Sequence, residues 1–274
     1  MNKNKNRQMN NIFLAAIALS LISSGCSHSK KLTDSSMHFA KNIVVAHRGA
    51  WKTNSLPENS IASLDQAVKI GCAGSEFDVH LTDDDSLVIN HDAVFGGKHI
   101  QKSSYVSLLE TKLSNGEPIP TLYQYLSHGI QQHTTMLVLE IKPSEISEER
   151  GEHTAQKIVE LVQQLHAQPW VIYISFDYAI IKKVLELQPD ARVQYLNGDK
   201  SPLELKNDGV MGLDYHYSVF KKHPEWVKEA KDNNIVLNAW TVNNAEDMKW
   251  LIENKFDYIT TNEPELLFGL IKRP

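Results

Sequence analysis

The sequence predicts an α/β fold, a TIM (β/α)8 barrel with a β-hairpin and a small insertion after its second strand. Three observations predict it. Strand-like and helix-like patterns alternate through one continuous stretch, an order that builds a parallel sheet covered by helices. Nine strand-like runs occur, and one follows its predecessor too closely to lie parallel to it, which leaves eight. Those eight fill about 220 residues, close to the usual size of such a barrel.

The first strand is the apolar run Ile43-Val44-Val45-Ala46. Ile61, Leu64, Ala67 and Val68 then keep the spacing of an amphipathic helix, with Asn59 or Ser60 to cap it and Gly71 to stop it. The second strand covers 75–81, and the next run, 87–90, is separated from it only by Thr82-Asp83-Asp84-Asp85-Ser86. A parallel crossover needs a dozen residues or more, so 87–90 turns back as an antiparallel partner outside the barrel. The stretch 92–135 then reads as an insertion. Strands at 136–141, 171–175, 193–196, 210–213, 235–239 and 258–260 complete the eight. Helical patterns at 153–166, 179–187, 226–232 and 245–254 lie between them. No composition break divides residues 41–274, which read as one domain.

Composition bounds the function. The 274 residues are 42% hydrophobic and 22% charged, ordinary globular values that exclude disorder or coiled coil for most of the chain. The net charge is −5 with no Lys/Arg stripe, which argues against a nucleic-acid partner. Lys3, Lys5 and Arg7 make a basic start, and the apolar run 12–22 follows. That run is too short to span a bilayer of about 30 Å and has the length of a signal-peptide core. Ser23-Ser24-Gly25-Cys26 resembles a bacterial lipobox, with Ser23 where Leu is usual. The expectation is a signal peptide at 1–25, lipidation at Cys26 and a polar tether over 26–40; the alternative is a plain secreted protein. Losing Lys3, Lys5 and Arg7 takes the net charge from −5 to −8, so membrane attachment would rest on the lipid anchor only. The expected location is the cell envelope, periplasmic or at the outer membrane in a Gram-negative host. With Cys26 lipidated, Cys72 has no intramolecular partner and no disulfide is expected.

Polar residues gather where barrel strands end, the side on which such barrels build active sites. His47-Arg48-Gly49 follows the first strand. Glu76, Asp78 and His80 sit two apart on the second and share a face; Glu140 and Lys142 repeat that step on the third. Each acid alone reads as solvated or as paired with Lys142 or Arg48. As a set they form a cluster whose mutual repulsion a divalent cation would relieve. All-oxygen ligation favours Mg2+, Ca2+ or Mn2+ over zinc. His91-Asp92 closes the hairpin, where a second imidazole can swing over the barrel mouth. His80 stands evenly between a site role and a structural one. Two imidazoles beside a cation suit acid–base chemistry on a phosphoester, with Arg48 and Lys142 on the non-bridging oxygens.

These pieces resemble the glycerophosphodiester phosphodiesterase family of the PLC-like barrel superfamily. The matching motifs run in order: His47-Arg48-Gly49, Pro57-Glu58-Asn59-Ser60, Glu76 to Thr82, His91-Asp92, Ile119-Pro120-Thr121-Leu122, Glu140-Ile141-Lys142, Ser175-Phe176, Trp240-Thr241-Val242-Asn243 and Thr261-Asn262-Glu263-Pro264. The resemblance implies metal-dependent hydrolysis of a small-molecule glycerophosphodiester to sn-glycerol 3-phosphate and an alcohol. It implies His47 and His91 as the acid–base pair, Glu76, Asp78 and Glu140 as metal ligands, and Arg48 and Lys142 facing the phosphate. Glu58 would sit on the rim or merely start a capped helix, and Trp240 would wall the substrate or merely pack. The chain departs from the pattern at Tyr123-Gln124, where acids are usual, and at Asn262, where Asp is usual. Both are expected to lie away from the chemistry. Related readings are a phosphatidylinositol phospholipase C, a sphingomyelinase-D-like enzyme, a glycosidase barrel using Glu76 and Glu140, and a non-catalytic surface lipoprotein. Arg48 and Lys142 argue against the glycosidase. The absence of an apolar interfacial loop favours a soluble headgroup over an intact lipid, and the oligomeric state stays open.

The N-terminal signature gives one direct test. Stable anchoring takes more than one acyl chain. Cys26→Ser should leave the membrane fraction yet keep its specific activity. Retention after high-salt and carbonate washing would overturn the lipoprotein reading.

Overall fold

The computed structural model describes residues 37–271. The expected signal segment, Cys26 and the tether up to residue 36 lie outside the described residues. The barrel strands are β1 (Val44–Ala46), β2 (Gly74–Leu81), β6 (Met136–Ile141), β7 (Val171–Ser175), β8 (Val193–Tyr195), β9 (Gly212–His216), β10 (Val236–Trp240) and β11 (Tyr258–Thr261). Each pairs in parallel with its neighbours in chain order, and β1 closes the ring by pairing with both β2 and β11. β3 (Leu87–Ile89) runs antiparallel to β2, as the short spacer before it requires.

Period-two alternation divides each strand between two cores. Phe77, Val79, Leu137 and Leu139 face outward into the main core, which they share with Leu64 of α1 (Ile61–Ile70) and Ile158 of α4 (Glu148–Gln164). Val45, Met136, Val138, Ile172, Ile174 and Leu196 fill the barrel interior. Glu76, Asp78 and His80 share that inward face. All of β2 is buried, so its charged residues have no solvated side to turn to.

Several elements differ from the sequence reading. α4 starts at Glu148, five residues before the expected 153. Ser147 caps it by accepting from the Arg150 amide, and Glu148 and Glu149 fill a first turn that favours negative charge. β9 extends to His216, three residues past the expected end, because it stays in register with β10 up to the pair Trp240↔His216. The insertion is shorter than 92–135. Its second half holds a barrel helix, α3 (Leu122–Gly129), started by a capping box between Thr121 and Gln124. This gives Gln124, one of the departures from the family pattern, a structural role. The true insertion is β3, a small hairpin of β4 (Val94–Phe95) and β5 (Lys98–His99), and the one-turn α2 (Tyr105–Leu108). Val88, Ile100, Leu108 and Ile119 give it a core of its own. The remaining helices are α5 (Tyr178–Leu187), α6 (Pro202–Asn207), α7 (Tyr217–Lys222), α8 (Glu225–Asp232), α9 (Ala245–Glu253) and α10 (Pro264–Ile271). α6 and α7 are too short to display a helical period in sequence. Cys72 is fully buried, and burial raises its thiol pKa, which keeps it inert.

The β1–α1 loop packs on α1 through Gly49. Its φ is +82°, and a Cβ there would fall 2.4 Å from Ser63 Oγ and 2.7 Å from the Ser63 backbone carbon. Both the dihedral and the approach demand glycine. Gly49→Ala should destabilise the fold by on the order of 2 kcal/mol or more. Urea denaturation followed by fluorescence checks this; an unchanged midpoint would contradict the packing.

Candidate active site

The acids of β2 and β6 meet inside the barrel because Asp78 pairs in register with Glu140. Glu76, Asp78 and Glu140 are buried, and one carboxylate oxygen from each lies within 4.8 Å of the others. Lys142 Nζ reaches both Asp78 Oδ1 at 3.0 Å and Glu140 Oε1 at 2.9 Å. Asn59, expected as a possible helix cap, leaves that task to Ser60. Its amide instead donates to Asp78 Oδ2 at 2.8 Å, and its Oδ1 accepts from the Asp78 amide. Arg48 adopts φ +56°, which turns its backbone N–H onto Glu76 Oε2 at 2.7 Å. Glu76 Oε1 is left buried without a partner.

The electrostatics follow from this crowding. Burial, then Asp78 and Glu140, push Glu76 well above the usual carboxylate range. Burial and Asp78 raise Glu140 to about 8. Burial would raise Asp78 too, but Lys142, His91 and the Asn59 hydrogen bond hold it down at about 2. The cluster thus keeps protons at neutral pH that a divalent cation would replace. Three hard oxygen donors with an unsatisfied lone pair fit Mg2+, Ca2+ or Mn2+.

His47 is held from two sides. Its Nδ1 lies 2.8 Å from Asn262 Oδ1, and its Nε2 lies 3.9 Å from Glu76 Oε2. A carbonyl oxygen only accepts, so Nδ1 carries the proton and Nε2 presents its lone pair to the cluster side. Burial, with Arg48 next, lowers His47 to about 4, so the ring is neutral at pH 7. Asn262 was expected to lie outside the chemistry; instead it sets the tautomer of a candidate base. Asn243 positions it, with Oδ1 accepting from the Asn262 amide at 2.9 Å and from Thr261 Oγ1 at 3.3 Å.

His91 stands at the mouth with its side chain one-third exposed, and its Nδ1 lies 2.7 Å from Asp92 Oδ1. The open question over His80 has a structural answer. It is buried, and its Nε2 donates to the His91 backbone carbonyl at 3.3 Å, which ties the hairpin end to β2.

One cavity gathers His47, Arg48, Glu76, Glu140, His91 and Trp240. Trp240 is fixed by its Nε1–H donating to the Asp214 carbonyl at 2.8 Å and by edge contact with Phe176. Glu58 does not line the cavity; it pairs with Arg48 at 2.9 Å from a half-exposed position and orients the guanidinium. Asp214 also lines the cavity, 1% exposed, and burial with Glu140 raises its pKa well above the usual range. The sequence reading missed it because β9 was ended at Leu213. The alternation Gly212, Asp214, His216 on one face is the signal that finds it.

Residues 47–266 match the model of the glycerophosphoryl diester phosphodiesterase family. A glycerophosphodiester phosphodiesterase of Caldanaerobacter subterraneus is 29% identical over 250 residues, covering 85% of this chain and 99% of its own. The crystal structure of a glycerophosphodiester phosphodiesterase from Parabacteroides distasonis superposes with TM-score 0.82 at 42% identity, covering 85% of this chain and 98% of that one. An Oleispira antarctica phosphodiesterase, solved in complex with the product sn-glycerol-3-phosphate, gives TM-score 0.71 at 27% identity over 84% of this chain and 96% of its own.

The raised carboxyls give a pH test with a definite sign. Unfolded glutamates lose their protons near 4.5, whereas Glu140 keeps its proton up to about 8. His47 and His80, lowered to about 4, stop contributing above their ordinary 6.5. Between pH 6.5 and 8 the native state therefore holds more protons than the unfolded one, and metal-free stability should fall as pH rises. Mg2+ binding in that window should release protons and tighten with pH. Calorimetry in buffers of differing ionisation enthalpy and melting curves after chelation measure both effects. No proton release across this window would contradict the cluster.

Proposed function

The chain belongs to the glycerophosphoryl diester phosphodiesterase family, and from that premise we propose that it hydrolyses glycerophosphodiesters to sn-glycerol 3-phosphate and an alcohol by two-histidine acid–base catalysis. The observation that carries the reading is the meeting of His47, His91 and the buried acids around one cavity at the barrel mouth. Glu76, Asp78 and Glu140 would hold one divalent cation, Mg2+ or Ca2+ by donor type. When bound it supplies Lewis-acid neutralisation of phosphate charge.

The chain's own residues divide the remaining work. His47 is the base: its Nδ1 proton is committed to Asn262, so Nε2 takes the proton of the attacking oxygen. His91 is the acid: it sits at the open mouth, and its Nδ1 lies 2.7 Å from Asp92 Oδ1, which leaves Nε2 to meet the leaving group. It gives its proton to the alcohol oxygen as the P–O bond breaks. Arg48 lines the cavity with a buried Nε–H that makes no hydrogen bond and lies 4.0 Å from Asp78 Oδ2, a donor suited to a non-bridging phosphate oxygen. Lys142, already on Asp78 and Glu140, serves the cluster first and the phosphate second. The lipobox at Cys26 supports a form anchored to the cell envelope by lipid.

The two histidines are separable by leaving group. Removing a proton-transfer group typically costs on the order of 10²–10⁴ in rate. His47→Ala and His91→Ala should each lose that much turnover of glycerophosphocholine while retaining bound metal. On a p-nitrophenyl ester, whose leaving group needs little protonation, His91→Ala should recover most of its loss and His47→Ala should not. Loss of metal in both variants, by elemental analysis, would make them ligands and refute the assignment.

A further inference from the structure

The cavity has two unlike halves. Acids, Arg48 and the two histidines occupy one. Ile174, Phe176, Leu196 and Trp240 pack together as the other, and Asp214 lines the same cavity within electrostatic reach of Glu140. A carboxyl group on an apolar wall needs a reason. Asp214 is 1% exposed, and its Oδ1 is buried with no hydrogen-bond partner. Its backbone is already used, since its carbonyl accepts from Trp240 Nε1. The side chain is therefore the unfinished part, and buried polar atoms left unfinished point to a ligand that completes them. Thr260, another polar residue of the lining, has committed its hydroxyl to Asn238 Oδ1, and Asn238 is the register partner of Asp214 on β10.

We propose that Asp214 is the specificity-determining residue for the glycerol half of the substrate, hydrogen-bonding a glycerol hydroxyl inside the barrel. The inference rests on the proposed reaction. With phosphate at the acidic cluster, the two substrate arms must lie on either side of it. The leaving alcohol varies and exits past His91, which is open to solvent. The glycerol is constant and suits the enclosed half, where its carbons pack on Ile174, Leu196 and Trp240. A hydroxyl there meets mainly carbon, and Asp214 supplies a polar partner. A site built to bond a hydroxyl rejects analogues that lack it, because its own polar atom is then left unpaired.

The test compares glycerophosphocholine with its two deoxy analogues, the phosphocholine esters of 1,2-propanediol and 1,3-propanediol. Wild-type protein loaded with Mg2+ should prefer glycerophosphocholine over one analogue by at least tenfold in kcat/KM. Asp214→Leu should erase that preference, chiefly through KM, while binding metal normally. Asp214→Asn, which keeps hydrogen-bonding capacity, should retain most of it. If the Leu variant does not fold, Asp214→Ala takes its place. Equal slowing of all three substrates, or lost metal, would overturn the inference in favour of a structural or ligand role. So would an Asp214→Leu variant that keeps the wild-type preference. Wild-type protein that cleaves none of the three would overturn the proposed reaction itself, and this inference with it.

Discussion

Three carboxylates held side by side in the dry interior of a barrel are the constraint on which the rest of the site depends. At separations up to 4.8 Å and an effective dielectric of about 20, each like-charged pair repels by roughly 3 kcal/mol or more. Lys142 and Arg48 offset part of this. The residual is relieved by protons, which Glu76 and Glu140 retain, or by a divalent cation. Nearby oddities of the chain answer to the same strain. Asn59 leaves the helix cap to bond Asp78, and Arg48 enters the left-handed region so that its amide reaches Glu76.

The barrel creates this constraint by register. A strand presents every second residue inward, so Glu76, Asp78 and His80 enter together, and the Asp78↔Glu140 pairing adds the third acid from the next strand. The outward residues of the same strands, Phe77, Val79 and Leu139, bury apolar surface against the helices. Packing of that outer layer holds the inner acids where they repel. A one-residue slip would exchange the two sets and place Phe77 in the cavity.

Much of this was legible because it is local. The i, i+2 spacing on β2 marked the acid face, and the short spacer before Leu87 marked the antiparallel return. What the sequence concealed is long-range or lies at element ends. Asn262 is 215 residues from His47 and reaches it only because β1 closes against β11, a contact that no spacing records. His80 looked ambiguous because its partner is a backbone carbonyl, which has no residue-type signature. Asp214 fell past a strand end drawn too early, since the run of apolar residues stopped while the ladder continued. α3 was absorbed into the insertion because polar positions such as Gln124 and His128 dilute its apolar stripe.

The same closure gives two chemically identical side chains opposite surroundings, as the proposed division of tasks between them requires. His47 lies at the seam, buried between Asn262 and Glu76, so its ring is fixed and its charged form is penalised. His91 projects from the hairpin, outside the ring of barrel strands, with water on one side and Asp92 on the other. In the proposed reaction the base must be neutral and aimed, and the acid must reach a leaving group at the open side of the cavity. The seam of the barrel meets the first demand and the hairpin meets the second. His80 links the two by anchoring the hairpin end to the strand that carries the acids. In the proposed reaction the insertion after β2 contributes by carrying the second imidazole to the cavity at the barrel mouth.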